Sequence, residues 1–146
     1  MSTSSTKPVP EWAQALPTPK SEPPTIDPRD LAELIRTKQP VTDFMVVDVR
    51  RNDFEAAFIR TAINLPAQSF YQTLDTILPL LQNTPKVIFH CQSCTPGGRG
   101  RRVAAWYQDA LNERGIKSSQ ALVLDGGIKN WIAQFGGDES LTAKLT

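Results

Sequence analysis

Apolar residues in this chain fall into short blocks of two alternating kinds. Phe44-Met45-Val46-Val47-Asp48-Val49, Lys86 to His90 and Ala121-Leu122-Val123-Leu124 are brief, dense and rich in β-branched residues. Such runs predict strands buried on both faces. Ala62-Ile63-Asn64-Leu65 predicts a further short strand, ended by Pro66. Between them apolar residues recur at helical spacing. Asp27 is placed as an N-cap and Pro28 at the first helical position, ahead of Leu31, Leu34 and Ile35. Residues 70, 74, 77, 78 and 81 mark one face of a helix from Phe70 to Leu81, with Pro79 kinking its last turn. Val103, Ala104, Tyr107, Ala110 and Leu111 mark a helix from Arg99 to Arg114, closed by Gly115. Asp53 to Phe58 and Ile128 to Phe135 predict two short helices, the second ended by Gly136-Gly137. Strands alternating with helices give an α/β domain with a central, mostly parallel sheet and helices on both faces.

The first 28 residues break the pattern. They hold seven of the chain's twelve prolines and none of its eight glycines. Residues 1–24 are therefore set apart as a Pro/Ser/Thr-rich N-terminal arm, and 25–146 as the domain. A flexible tail is expected for the arm. The alternative is an extended arm packed on the domain or on a second copy, with Trp12 as its anchor.

Composition narrows the partners more than the fold. A net charge of +1 offers no global attraction to nucleic acid or to a membrane surface. No apolar run reaches the ~20 residues that cross a bilayer. The first residues carry no signal-like apolar stretch, so the cytoplasm, with the nucleus as a second compartment, is the expected location. Two cysteines and one histidine make neither a disulfide framework nor a metal site, and no cofactor is expected.

Both cysteines lie in one place. The strand Val87-Ile88-Phe89-His90 runs into Cys91-Gln92-Ser93-Cys94-Thr95-Pro96-Gly97-Gly98-Arg99, and a helix follows with Gly100-Arg101-Arg102. A thiol at a strand end, a small-residue loop, arginines and a helix N-terminus together stabilise a thiolate and bind an oxyanion. They lower a thiol pKa below its free value of about 8.5. Cys91 is assigned as the nucleophile and Arg99 as the residue that closes the loop on a substrate oxyanion. Gln92, Ser93, Cys94, Thr95, Gly97, Gly98, Gly100 and Arg101 are expected around the substrate. Gly97 and Gly98 allow positive φ. Cys94 is also an alternative nucleophile, a partner able to trap Cys91 as a disulfide, or a spacer. His90 alternates to the opposite sheet face and is read as a hydrogen-bonded structural residue. Asp48 and Arg50, ending the neighbouring strand, are expected to support the site by pairing with loop groups.

Four ordered stretches resemble the single-domain rhodanese fold over about residues 25–136. They are Val46-Val47-Asp48-Val49-Arg50, Ala62-Ile63-Asn64-Leu65-Pro66, Val87 to Cys91 with Arg99-Gly100, and Leu122-Val123-Leu124-Asp125-Gly126-Gly127-Ile128-Lys129-Asn130-Trp131. That superfamily includes thiosulfate sulfurtransferases, cell-division-cycle M-phase inducer phosphatases and eukaryotic arsenate reductases. The His90-Cys91 and Arg99-Gly100 flanks resemble the small phosphatase-like and arsenate reductase-like members. The chain departs from the pattern in three ways. Ala57-Phe58-Ile59 replaces a glycine-histidine pair, so Phe58 is expected to pack. Seven residues separate Cys91 from Arg99, more than in either the phosphatase-like or the sulfurtransferase members. The loop itself has no carboxylate to act as an acid.

The resemblance and the acid-free loop together put sulfur transfer first: a Cys91 persulfide formed from thiosulfate or a related donor and passed to a thiol such as glutathione or a thioredoxin-like protein. A phosphatase or glutathione-dependent arsenate reductase of the same fold is the alternative. A non-catalytic anion- or partner-binding module comes third.

Overall fold

The computed structural model describes residues 8–145. Along the chain run β1 (Thr25–Ile26), α1 (Pro28–Thr37), β2 (Phe44–Asp48), β3 (Ala57–Ile59), β4 (Ala62–Asn64), α2 (Ala67–Phe70) and α3 (Leu74–Leu81). Then come β5 (Lys86–His90), α4 (Arg99–Glu113), β6 (Gln120–Leu124), α5 (Gly127–Phe135) and β7 (Thr142–Lys144). Five strands form a wholly parallel sheet in the order β1-β6-β5-β2-β4. Each strand feeds a connection that crosses back over the sheet, as parallel pairing requires.

Alternation along the strands divides the core in two. Val47, Val87, Phe89, Ala121 and Val123 pack with α2, α3 and α4 on one face. Val46, Ile88, Leu122 and Leu124 pack with α1 and α5 on the other. Both layers are buried, which is why these strands read as continuous apolar runs. The chain places β4 on one side of β2 and then returns to place β5 on the other. Strand order reverses there, and the Cys91 loop leaves the C-terminal end of β5 at that reversal, where open parallel sheets leave a crevice.

Three expectations are corrected. Asp53 to Phe58 is not a helix. Its end becomes β3, paired antiparallel with β7 from the far end of the chain. Arg50 takes the carbonyls of Asp53, Glu55 and Ala57, and Ala56 turns with φ +69°, so helical bonding is unavailable. The helix from Phe70 to Leu81 is interrupted by a tight 3-10 turn at Tyr71–Thr73. There the Thr73 hydroxyl donates to the Ser69 carbonyl at 2.9 Å, competing with the helix backbone. The arm is not a loose tail over residues 8–24. Trp12 meets Trp106 edge-on at 6.1 Å, and the Trp106 indole N–H donates to the Pro17 carbonyl at 2.9 Å. The Lys20 and Ser21 amides donate to Asp109 at 2.8 and 2.9 Å. Residues 1–7 of the arm lie outside the described residues. Among the described residues no helix is long and apolar enough to cross a membrane.

Asp48 and Arg50 are both buried and face each other, Nη2 to Oδ2 at 2.7 Å and Nε to Oδ1 at 3.0 Å. Replacing Asp48 with asparagine leaves the Arg50 guanidinium buried without its counter-charge. The expected cost is about 3–5 kcal/mol, read as a lower urea midpoint with unchanged m-value.

Candidate active site

Cys91 follows the last residue of β5, at the point where helices α4 and α5 both begin. Each helix contributes free N-terminal amides. From α5, Ile128 N–H donates to the Cys91 carbonyl and Lys129 N–H to the Gln92 carbonyl, both at 3.0 Å. The backbone approach is close enough that a Cβ on Gly127 would lie 2.5 Å from the Gln92 oxygen, and Gly127 sits at φ +61°. The Asp125-Gly126-Gly127 turn thus fixes the start of the loop. From α4, the Gly100 amide donates to Cys91 Sγ at 3.3 Å.

Cys94 turns its sulfur back toward the same place. The Cys91 amide donates to Cys94 Sγ at 3.4 Å, and both thiols are free and buried. Cys94 itself has φ +53°, a left-handed conformation that costs an L-residue roughly 1–2 kcal/mol. Arg101 Nε donates to its carbonyl at 2.8 Å and holds that turn. The Cys94 thiol, the Gly100 and Cys94 amides and the Arg99 charge together outweigh burial and bring the Cys91 thiol down to about 5. Contact with the Cys91 thiolate, together with burial, pushes Cys94 well up, so it stays protonated. These directions favour Cys91 as the thiolate of the pair and Cys94 as the thiol.

Arg99 reaches across the mouth to Asp53. The two make a double contact, Nη1 to Oδ1 at 2.8 Å and Nη2 to Oδ2 at 2.6 Å. Gln92 Nε2 adds donations to Asp53 Oδ2 at 3.1 Å and to its carbonyl at 3.2 Å. Arg99 is the main cause holding the Asp53 carboxyl well below the usual carboxylate range, so Asp53 is a fixed anion and not a proton donor. Sequence reasoning passed over Asp53. The available signal was an acidic residue just beyond the C-terminal end of β2, on the side where the loop arginine projects.

An open pocket of about 180 Å³ lies over the loop, with Cys91, Gln92, Ser93, Thr95, Gly97, Gly98 and Arg99 in its walls. Pro8, Pro10 and Trp12 of the arm complete it, a contribution the sequence did not reveal. Cys94 lies behind the pocket and does not line it. Gly97 has φ +77°. Gly98 does not: its backbone is extended, and its bare Cα allows Thr95 O to lie 2.9 Å from where a Cβ would stand. Arg101 and the buried Arg102 turn to a neighbouring cleft between the arm and α4. His90 is fully buried on the α1/α5 side, its Nδ1 3.1 Å from the Cys91 carbonyl and its Nε2 3.7 Å from Asp48 Oδ2. Asp48 and Arg50 do not pair with loop groups as expected. They grip each other, and Arg50 also holds the 53–57 backbone that carries Asp53.

The family model for the rhodanese-like domain matches residues 27–134. The chain belongs to the rhodanese-like domain family. Among curated members it is 36% identical over 115 residues to arsenical-resistance protein 2 of Saccharomyces cerevisiae, covering 73% of this chain and 85% of that protein. It is 24% identical over 115 residues to dual specificity phosphatase ibp1 of Schizosaccharomyces pombe, covering 68% and 82%. Among solved rhodanese-family structures, Ygr203w, a yeast protein tyrosine phosphatase, superposes with a TM-score of 0.70 at 25% identity, over 85% of this chain and 94% of that one. The As-Sb reductase from Leishmania major shares the fold, with a TM-score of 0.64 at 22% identity over 84% and 92%.

Asp53 tests the rhodanese-like site without disturbing its core. The ion pair it makes with Arg99 is partly exposed, so it contributes under about 1 kcal/mol to stability. Asp53→Asn is expected to leave the melting curve almost unchanged. It should lower kcat/KM roughly 10-fold or more, because Arg99 loses the anchor that sets its position at the pocket.

Proposed function

We propose that the protein is a cysteine-dependent arsenate reductase in which Cys91 attacks the oxyanion, Arg99 holds it, and an external thiol, glutathione or a thioredoxin-like protein, supplies the reducing equivalents. The observation that carries this reading is the Cys94 sulfur turned back onto Cys91 in a loop without a carboxylate. Arsenate exchanges its oxygens with water readily, so a thiolate can form its arsenic adduct without an enzymic acid. Expelling an alkoxide or phenoxide from a phosphate ester does benefit from one, typically by ~10²–10⁴-fold. The carboxylate nearest the loop, Asp53, is held as an anion by Arg99 and is not available for that work. The arsenical-resistance relative at 36% identity points the same way.

The acid-free loop also favours a second reading, the sulfur transfer expected from the sequence, since sulfite leaves thiosulfate without protonation. The two curated relatives reported above carry other names, and sulfur transfer therefore ranks second.

The deciding experiment gives the reduced protein arsenate, thiosulfate and an aryl phosphate in separate reactions. Arsenite formation in the presence of glutathione, absent in Cys91→Ser, is the expected result. One added sulfur by intact mass, with arsenate untouched, would transfer the assignment to sulfur chemistry. Phosphate release alone would make the protein a phosphatase. Inertness toward all three would leave an anion-binding module.

A further inference from the structure

We infer that Cys94 is the resolving thiol of this site: it attacks the Cys91–arsenic adduct from within the loop, so that a protein disulfide forms and the external reductant is a dithiol. This rests on the arsenate reading above. Three features place the Cys94 sulfur against Cys91. The Cys91 amide donates to it at 3.4 Å. Gly100 makes room for it, since a Cβ there would stand 3.0 Å from Cys94 Sγ and 3.2 Å from Cys91 N. Cys94 adopts φ +53°, and the Arg101 side chain holds its carbonyl at 2.8 Å. A backbone held out of its preferred region is the kind of strain that persists where the surroundings enforce it. Here its effect is to turn a side chain away from the pocket and toward the other sulfur. Gly100 meanwhile donates to Cys91 Sγ at 3.3 Å, so the two sulfurs flank one residue.

The chemistry balances with these two groups and arsenate. The Cys91 thiolate bonds to arsenic of dihydrogen arsenate, and one oxygen leaves as water after taking up a proton from solvent. The Cys94 thiol then bonds to Cys91 Sγ. The sulfur–arsenic bond breaks, and its electron pair stays on arsenic, which falls from As(V) to As(III). The Cys94 proton passes to an arsenite oxygen, and dihydrogen arsenite leaves. Two thiols have become one disulfide. A dithiol, such as dithiothreitol or a thioredoxin-like protein, returns both cysteines to the reduced state and is itself oxidised to a disulfide. The attacking species is the thiolate. Once Cys91 is bonded to arsenic, its charge no longer opposes ionisation of Cys94, and the Cys94 proton moves to an oxygen of the adduct as the sulfur attacks.

The test is a single turnover of the full chain, reduced, freed of reductant without air, and given arsenate alone. The expected result is one arsenite per protein, loss of both free thiols, and a peptide map showing Cys91 joined to Cys94. Cys94→Ser keeps a hydroxyl to donate to Cys91 and cannot form the disulfide. It should yield no arsenite under these conditions, and arsenite should reappear when glutathione is added as a substitute attacker. A purely positioning Cys94 would instead leave the wild type silent without added thiol, and with glutathione the wild type and Cys94→Ser would turn over alike. That outcome overturns the resolving role while sparing the arsenate reading. Absence of arsenite from the wild type under every condition, glutathione included, sinks both.

Discussion

Cys91→Ser is expected to lose at least ~10³-fold in turnover while melting close to the wild type, because removal of a nucleophile typically removes nearly all covalent catalysis. The hydroxyl fits the space of the thiol and still accepts from the Gly100 amide. At neutral pH it is not ionised, and the cradle that stabilises a thiolate has nothing to act on. The same cradle sets a pH signature in the wild type. With the Cys91 thiol brought down to about 5, the thiolate fraction rises through pH 5 and is complete by neutrality. Alkylation by iodoacetamide should therefore climb between about pH 4 and 6 and stay level above that, where a free cysteine would still be climbing near its value of about 8.5. The rate against pH, followed by mass of the Cys91 peptide, checks this directly. A midpoint near that of the free amino acid would mean that the Cys94 and Gly100 contacts do not act on the sulfur.

Gly127→Ala is expected to damage fold and activity together. The residue has φ +61°, and a Cβ would lie 2.5 Å from Gln92 O, 2.7 Å from Gln92 C and 2.9 Å from Cys91 O. All three contacts are backbone, so no side chain can swing aside to relieve them. The expected loss is roughly 2–5 kcal/mol, because a left-handed alanine costs roughly 1–2 and overpacking roughly 1–3. Equilibrium unfolding in urea measures it. Whatever fold survives must separate α5 from the loop, breaking the bonds from Ile128 and Lys129 to the Cys91 and Gln92 carbonyls. Residual activity should fall further than the folded fraction. By contrast Gly115, also at positive φ, has open space around it, and its alanine variant should carry only the backbone cost.

These contrasts bear on what the sequence made legible. The runs that became β2, β5 and β6 announced themselves because burial on both faces demands unbroken apolar residues, while the edge strand β4 was marked by Pro66 just beyond it. Cys91 and Arg99 were legible because a thiol at a strand end followed by an arginine at a helix start has few structural uses. β3 and β7 were not, since each is three residues long and exists only through the other, across more than eighty positions. Asp53 stayed hidden for a related reason: its own stretch reads as a short helix, and its partner is 46 residues away. The left-handed turn at Cys94 could not be foreseen either. Glycine announces positive φ, and Gly97 does adopt it, yet so does a cysteine between Ser93 and Thr95.

The arm fastened along α4 has one more consequence. The family match begins at residue 27, while Pro8, Pro10 and Trp12 border the pocket mouth. The loop walls of the pocket thus lie inside the family match, and the arm walls lie outside it. A change at Pro8, Pro10 or Trp12 is expected to widen or narrow what enters without altering the amides and arginine around Cys91.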